Sequence, residues 1–225
     1  MEEHRESRSV RRAHLLVIAA LQLILVTELL VLAWRGHWLH VFLVGGVIAI
    51  CLTPLLFRKR LPVEVPSEIQ LVVVLFTFAT LFLGEVWDYY ERFWWWDLAL
   101  HGTAGILLGL FGLLTVYLLN ENKAVDLHMR PSCLALFAFC FAVGIGTLWE
   151  IFEFGMDQLF GLTMQKPMLG DPSGLTDTMW DLILDSLGAL IVSLLGWRYL
   201  HRARRVREEP WLHRFIARNS QLFGE

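Results

Sequence analysis

The segment DTMWDLILDSLGALIVSLLGWRYL, residues 177–200, decides the fold of this chain. Apart from its acidic residues it is mostly apolar, and about 20 apolar residues of α-helix cross the hydrocarbon core of a bilayer. Asp177, Asp181 and Asp185 recur at intervals of four residues, so they lie along one face of that helix. Because an ionisable group in a bilayer costs about 3 kcal/mol or more, such groups usually face a bundle interior and have a function there.

The whole chain has the composition of a membrane protein. Its 225 residues are 56% hydrophobic, and a mean hydropathy of +0.53 is too high for a soluble domain. The net charge of −3 says little about partners. Cys51, Cys133 and Cys140 lack the spacing of a disulfide framework or a thiolate zinc site, so we expect small core residues there. No small-residue cleavage site follows the first apolar run, which predicts a retained helix.

Six segments are candidate membrane-spanning helices. Strand alternation is absent, and only helices or closed barrels can span lipid. Since no linker or repeat stands out, we predict one all-α domain, a polytopic membrane helix bundle with six transmembrane helices. The six candidates cover about residues 14–34, 39–57, 69–83, 97–119, 133–154 and 178–200, within a basic tail (about 1–12), a six-helix bundle (about 13–200) and a second tail (about 201–225).

The distribution of basic residues predicts the orientation of this bundle. Sixteen of the nineteen Lys and Arg residues fall on one side, in the two tails and in the second and fourth loops. An even number of helices puts both termini on one side, and the excess of basic residues makes that side the cytoplasm. Trp211, Leu212, Phe215 and Ile216 have roughly helical spacing in the C-terminal tail, which predicts an amphipathic helix on the membrane surface.

The outer loops differ from the cytoplasmic ones. Residues 84–96 combine acidic residues with many tryptophans and tyrosines, which is typical of an aromatic belt at the membrane boundary. Residues 155–177 contain Pro167, Gly170, Pro172 and Gly174, so we expect this loop to fold over the outer face as a cap.

Under this topology, ionisable residues of three helices converge in the outer leaflet. Each set has the spacing of one helix face. Glu28 of the first helix also lies in the outer half, and Arg92 lies in an outer loop. The converging residues are Asp97 and His101 on the fourth helix, Glu150, Glu153 and Asp157 on the fifth, and Asp177, Asp181 and Asp185 on the sixth.

Seven carboxylates cannot share a low-dielectric pocket unpaired. Either several are protonated, or cations neutralise them. Arg35, Arg92 and Lys166 are too few to do so, which favours a bound divalent metal. Carboxylates with one imidazole suit Mg²⁺, Mn²⁺, Fe²⁺ or Zn²⁺, and facing helices often build such a site. A network of shared protons without metal is the alternative.

Individual residues also have structural interpretations. Asp97 and Asp177 stand where helix caps are expected, Asp157 is at a loop boundary, and a lone histidine such as His101 is often just buried and hydrogen-bonded. We predict the metal ligands Asp97, His101, Glu150, Glu153, Asp181 and Asp185, with Glu150, Asp181 and His101 as catalytic residues. Further site candidates are Asp157, Asp177, Glu28 and Arg92.

Glycines predict how the three helices approach. Gly102, Gly105, Gly109 and Gly112 on the fourth helix, Gly144 and Gly146 on the fifth, and Gly188 with Ala189 on the sixth permit close contact between backbones. We therefore expect the fourth, fifth and sixth helices to form a tight inner bundle that brings the acidic faces together.

The same positions carry a resemblance to a known family. The pattern consists of Asp97-x3-His101-x3-Gly105, then Trp149-Glu150-x2-Glu153, then Asp177-Thr178-Met179-Trp180-Asp181-x3-Asp185-Ser186-Leu187-Gly188-Ala189. It resembles the YjdF-like family of bacterial and archaeal integral membrane proteins, a domain of unknown function, over about residues 80 to 195. The resemblance implies a multi-helix membrane protein with these polar positions as its signature, and it implies no activity.

Two functions fit the converging carboxylates. The first is a metal-dependent hydrolase or transferase that acts on a lipid or lipid-linked substrate at the periplasmic leaflet of the inner (plasma) membrane. The second is a transporter of divalent cations or protons, and a structural or partner-binding role is third. Serine or thiol chemistry is not expected, because there is no Gly-x-Ser-x-Gly motif and no cysteine beside the acids. We expect membrane lipids as partners and no nucleic acid, and the sequence is compatible with a homo-oligomer.

Overall fold

The computed structural model of the protein describes residues 2–56, 67–121 and 128–206. Within these ranges the regular secondary structure is helical, apart from one isolated β-bridge between Met168 and Asp171. The all-α prediction is therefore confirmed. The helices are α1 (Glu2–Arg35), α2 (Trp38–Leu56), α3 (Ser67–Thr77), which continues as a π-helix (Phe78–Val86), the short α4 (Tyr89–Arg92), α5 (Trp96–Glu121), α6 (Pro131–Phe160) and α7 (Leu175–Val206).

Four of the six predicted spans form helices that are long and apolar enough to cross a membrane. The second and third predicted spans correspond to shorter apolar helical stretches, His40–Ala49 and Leu71–Val86. Helix α1 begins at Glu2, so it includes residues that the sequence assigned to a basic tail. The predicted amphipathic helix around Trp211 lies outside the described residues. The four long helices contain the apolar stretches Leu16–Arg35, Trp96–Asn120, Pro131–Phe160 and Leu175–Arg202.

The chain divides into two compact units, residues 1–96 and 97–225. In the first unit, α1, α2 and α3 with its π-helical continuation pack together around a buried apolar core. Glu28 is half-buried on α1, and Arg92 is exposed at the end of α4. The core of this unit is made by Leu25, Leu32, Val44, Val47, Val74 and Phe82.

The second unit contains α5, α6 and α7, the helices predicted to form the tight inner bundle. A buried apolar cluster joins one end of these helices, where α5 ends, α6 begins and α7 ends. Its members are Leu113, Val116 and Tyr117 on α5, Leu134 and Ala138 on α6, and Leu200 on α7. We call this the apolar end of the second unit.

Glycines set the separation of α5 and α7. A Cβ on Gly105 would collide with the backbone of Asp185, and one on Gly188 would collide with the carbonyl oxygen of Gly102. The two backbones are therefore in direct contact, as the small residues predicted. Gly144 differs, because no neighbouring element of the described chain comes within 4 Å of the place that a Cβ would take there. Its lack of a side chain is therefore not needed for helix packing.

Candidate functional site

The opposite end of the second unit is polar. Here the start of α5, the end of α6 and the start of α7 bring one histidine together with six carboxylates. We call this group the acidic cluster. Its members are Asp97 and His101 on α5, Glu150 and Glu153 on α6, and Asp177, Asp181 and Asp185 on α7.

His101 lies at the centre of the acidic cluster and contacts all three helices. Its Nδ1 atom is 3.3 Å from Oδ2 of Asp185. Its Nε2 atom is 3.7 Å from Oδ1 of Asp97 and 3.7 Å from Oε1 of Glu150. An ionised carboxylate can only accept a hydrogen bond, so the contact with Asp185 assigns the hydrogen to Nδ1. The Nε2 atom faces two carboxylates, an arrangement that calls for a positive charge, either a proton on Nε2 or a cation between them.

Gly146 of α6 gives Asp185 its place beside His101. A Cβ on Gly146 would collide with Oδ2 of Asp185, the same oxygen that faces the imidazole. On the other side, Gly105 lets the α7 backbone at Asp185 approach α5 closely. Two glycines therefore make room for one carboxylate, which in turn fixes the orientation of the histidine ring.

Most carboxylates of the acidic cluster are buried with unsatisfied oxygens. Asp181 is 0% exposed and Glu150 is 4% exposed, and neither has a hydrogen-bond partner within 3.5 Å of its carboxylate oxygens among the described residues. The side chain of Thr178 lies near Glu150 and interacts with it. Oδ1 of Asp177 and Oδ1 of Asp185 are also buried without a hydrogen-bond partner among the described residues. Buried charges are normally paired or bound to a metal, because leaving them alone costs several kcal/mol. The described protein groups therefore do not satisfy all the carboxylate oxygens of the acidic cluster.

Three members of the acidic cluster are close enough to share one ion. Asp97, His101 and Asp181 each offer a donor atom, and these three atoms lie within 4.8 Å of one another. The charge of Asp181 also interacts with those of Asp177 and Glu150. The structure thus gathers every predicted metal ligand into one cluster and singles out three of them as the most compact donor set.

Two of the predicted site residues, Asp157 and Glu153, accept hydrogen bonds from groups in or next to α6. Asp157 accepts hydrogen bonds from the backbone N–H groups of Met164, at 2.8 Å, and Gln165, at 2.9 Å, so it holds the loop after α6. The loop-boundary interpretation of Asp157 is supported. Glu153 accepts a hydrogen bond of 2.8 Å from Nε1 of Trp149, one turn earlier on α6.

Glu28 and Arg92 belong to the first unit, and the acidic cluster consists of second-unit residues.

Residues 161–174 connect α6 to α7 and lie against the acidic cluster. The backbone N–H of Lys166 donates to Oδ2 of Asp177 at 2.7 Å, and Nε2 of Gln165 donates to Oγ1 of Thr178 at 2.7 Å. The loop therefore folds back over the start of α7, and the expectation that this is the outer face stays a prediction. Sequence reasoning did not predict the pairing of Gln165 with Thr178, because nothing in their local pattern indicates it.

Asp171 organises the second half of this loop. Its Oδ1 accepts hydrogen bonds from the hydroxyl and backbone N–H of Ser173, and its Oδ2 accepts them from the hydroxyl and backbone N–H of Thr176. These bonds, those from Ser173 first, hold the pKa of Asp171 well below its ordinary range. Asp171 therefore stays ionised at neutral pH with its acceptor capacity used locally, which sets it apart from the carboxylates of the acidic cluster.

Comparisons with known proteins agree with a membrane location and identify no activity. The family described as predicted membrane protein (DUF2238) matches residues 16–202, which is most of the chain, so the protein belongs to that family. An uncharacterised protein of Thermotoga maritima is 28% identical over 158 residues, covering 70% of this chain and 74% of that protein. No solved structure matches the chain.

The contact between Gly146 and Asp185 can be tested by a double-mutant cycle. We expect Gly146→Ala to lower the free energy of unfolding by about 1–3 kcal/mol, because the added methyl group displaces a packed carboxylate. In an Asp185→Ala background the same change should cost much less, since the colliding oxygen is gone. Thermal unfolding in detergent would measure both. Gly144→Ala is the matched control on the same helix, and an equal cost of Gly146→Ala in both backgrounds would contradict the assignment.

Proposed function

We propose that this DUF2238 protein binds a divalent cation in the acidic cluster and uses it for hydrolysis or group transfer on a lipid or lipid-linked substrate. One observation carries the proposal: Asp97, His101 and Asp181 form a compact donor set, and the buried oxygens of Asp181 have no hydrogen-bond partner in the described part of the chain. Glu150 adds a buried carboxylate whose Oε1 is 3.7 Å from Nε2 of His101. Carboxylates with one imidazole are a donor set for Mg²⁺, Mn²⁺, Fe²⁺ or Zn²⁺.

Charge balance supports a cation over an empty cluster. Six carboxylates share the cluster with a single imidazole, and several of their oxygens lack a hydrogen bond among the described residues. A divalent cation would add two positive charges where the lone pair of Nε2 and the oxygens of Asp97 and Asp181 already meet. The donors are 3.7 Å apart between Nε2 of His101 and Oδ1 of Asp97 and lie within 4.8 Å of one another as a set. A tetrahedral ion with bonds of about 2.1 Å needs roughly 3.4 Å between its ligands, so side-chain movements would have to close the site.

Asp185 has a different role in this proposal from the ligands. By accepting the Nδ1 hydrogen of His101, it presents Nε2 to the cation and increases the basicity of the ring. Carboxylates that orient a ligating histidine in this way are common around protein-bound metals. The sequence grouped Asp185 with the ligands, since spacing alone does not distinguish a carboxylate that binds an ion from one that orients a ligand.

The chemistry would come from water bound to the cation. A divalent metal polarises a phosphoryl or carbonyl oxygen and lowers the pKa of its water, to about 7 in favourable cases. Glu153 is the carboxylate best suited to act as general base. One of its oxygens is held by the indole of Trp149, and neither of its oxygens is among the buried unsatisfied atoms. The position of the cluster inside a candidate span favours a substrate that resides in the membrane.

A one-sided site is better supported than a path through the membrane. The apolar end of the second unit closes the same three helices with Leu113, Val116, Leu134 and Leu200. Transport of a cation or proton would need a continuous series of polar groups through this region, where Tyr117 and Ser193 supply the buried hydroxyl groups among the described residues. The transporter interpretation is therefore the competing outcome of the experiments below.

The proposed topology is that of an inner-membrane protein with six spans in one transmembrane domain and both termini in the cytoplasm. Sixteen of its nineteen basic residues then face the cytoplasm. Residues 161–174, with the acidic cluster beneath them, would face the periplasm.

Metal content is the first test. Purified wild-type protein is expected to hold a divalent metal stoichiometrically, measured by elemental analysis. Asp97→Asn and Asp181→Asn should each weaken binding by about 10-fold or more, because each removes a charged donor. Asp171→Asn is the matched control, since that carboxylate is committed to Ser173 and Thr176. Wild-type protein that holds no metal and takes up no Mg²⁺, Mn²⁺, Fe²⁺ or Zn²⁺ would refute the proposal.

Turnover is the second test. Metal-loaded protein should hydrolyse at least one class among lipid phosphomonoesters, phosphodiesters and carboxyl esters. Glu153→Gln should lower the rate by about 10²–10⁴-fold with its metal content unchanged, as loss of a general base requires. Absence of turnover together with cation uptake into proteoliposomes would establish transport instead.

Topology is the third test. Alkaline phosphatase fused after Asp171 should be active, since this enzyme works only in the periplasm (or its equivalent outer face), and a fusion after Arg130 should be inactive. Green fluorescent protein at the same two positions should give the reverse pattern. A cytoplasmic signal after Asp171 would place the acidic cluster on the wrong side for the proposed reaction.

A further inference from the structure

The loop between α6 and α7 contains a two-residue hairpin turn with apolar residues at its end. The backbone N–H of Met168 donates to the carbonyl oxygen of Asp171 at 3.2 Å, and the N–H of Asp171 donates to the carbonyl oxygen of Met168 at 2.9 Å. Leu169 and Gly170 form the turn, with φ angles of 50° and 85°. Positive φ at both central positions is the signature of a type I′ turn. We call residues 167–170 the hairpin tip.

Leu169 is an unexpected residue for the first central position of this turn. Asn, Asp and Gly are preferred there, because a bulky side chain at positive φ is sterically unfavourable. Burial would normally compensate, but Leu169 is 81% exposed, and a Cβ on Gly170 would meet nothing within 4 Å. Neither backbone preference nor packing within the described residues therefore explains the leucine. A residue that opposes its local conformation and gains no contact within the chain indicates a partner outside it.

The hairpin is held at one end of two candidate spans. The span of α6 ends at Phe160, and that of α7 begins at Leu175. Oδ2 of Asp171 accepts the backbone N–H of Thr176 at 3.0 Å, so the base of the hairpin is fixed to the first turn of α7. Leu169 is two residues from Asp171, which limits the distance between their Cα atoms to about 7 Å. The hairpin tip therefore stays close to the level at which the span of α7 begins.

The surroundings of the hairpin tip are apolar as well. Phe160 and Leu162 at the start of the loop and Leu175 at its end are all exposed. The chain belongs to a family of predicted membrane proteins, and lipid is the solvent available to exposed apolar side chains beside a span. Residues 167–170 carry no ionisable side chain, so their entry into lipid would desolvate no charge.

We infer that the hairpin tip inserts Leu169 into the membrane interface, where its partner is the acyl chains of the surrounding bilayer lipids. The reciprocal bonds of Met168 and Asp171 satisfy two N–H and two carbonyl groups, whereas the peptide groups of Leu169 and Gly170 have no such bonds in the described chain. Those groups need water or lipid headgroups. An insertion of about 5–10 Å, to the boundary of headgroups and acyl chains, keeps both within reach. The hairpin tip is therefore a shallow anchor.

The anchored loop is the one that contacts the start of α7. The backbone N–H of Lys166 donates to Asp177, and the side chain of Gln165 donates to Thr178. Insertion of Leu169 therefore ties the loop beside the acidic cluster to the lipid boundary. The inference requires no bound cation, so it stands or fails independently of the proposed function.

A fluorescent label can measure lipid contact at the hairpin tip. The three cysteines of the full-length protein are replaced by alanine (Cys51→Ala, Cys133→Ala and Cys140→Ala), and Leu169→Cys is labelled with the environment-sensitive dye NBD in phosphatidylcholine nanodiscs. We expect emission shifted to shorter wavelength and quenching by lipids with a nitroxide near the ester end of the acyl chain. Thr163→Cys, at an exposed polar position of the same loop, is the matched control and should show water-like emission with little quenching.

Leu169→Asn tests the reason for the leucine. Asn tolerates positive φ better than Leu, so the unfolding temperature in detergent should rise or stay within about 4 °C of the wild type. Metal content should be unchanged. A leucine packed against the protein would lose far more on this change, so a larger fall in unfolding temperature would overturn the inference.

The label gives three further outcomes that would contradict the inference. Water-like emission without quenching at position 169 would show that the hairpin tip lies in water. Short-wavelength emission that lipid nitroxides do not quench would place the tip against a protein surface, such as a second copy of the chain. Equal quenching of the labels at positions 163 and 169 would refute the assignment of the contact to the tip.

Discussion

The burial of five carboxylates, with a sixth half-buried, around one imidazole is the constraint on which the second unit depends. Several of these oxygens have no hydrogen bond in the described residues, and such groups oppose folding by several kcal/mol unless something compensates. The compensation cannot come from His101 alone, since one imidazole can balance one charge at most. A bound cation, or protons taken up by some of the carboxylates, must therefore supply the rest of the compensation.

Glycines allow this packing at the positions where charge is concentrated. Gly105 and Gly188 bring the backbones of α5 and α7 into contact beside Asp185, and Gly146 leaves room for its carboxylate. The orientation of His101 follows from these contacts, because the ring is held by the oxygen that Gly146 accommodates. These glycines thus determine where the acidic side chains can lie.

Helical spacing was sufficient to predict the three acidic faces, and the order of the predicted spans indicated that these faces meet at one end of the bundle. Residues four apart on α5 and α7 share a face whatever surrounds them, so Asp97, His101 and Asp181 could be grouped without coordinates. The sequence could not distinguish Asp157 from the ligands, because its partners are backbone N–H groups of a loop whose path depends on its turns. It also could not predict the π-helical continuation of α3, because hydropathy does not distinguish a π-helix from an α-helix.

The two ends of the second unit have complementary roles. At the apolar end, side chains of α5, α6 and α7 meet in a buried cluster that needs no further partner. At the polar end, the same helices carry carboxylates with buried oxygens that have no hydrogen bond among the described residues. Since a rigid helix transmits position along its length, packing at the apolar end fixes the spacing of the carboxylates before anything binds. A preorganised set of donors gives up less conformational entropy on binding than a flexible one, which favours tight and selective capture of a cation. The fold of the second unit therefore concentrates its free-energy cost at the acidic cluster, the place where a bound cation would offset it.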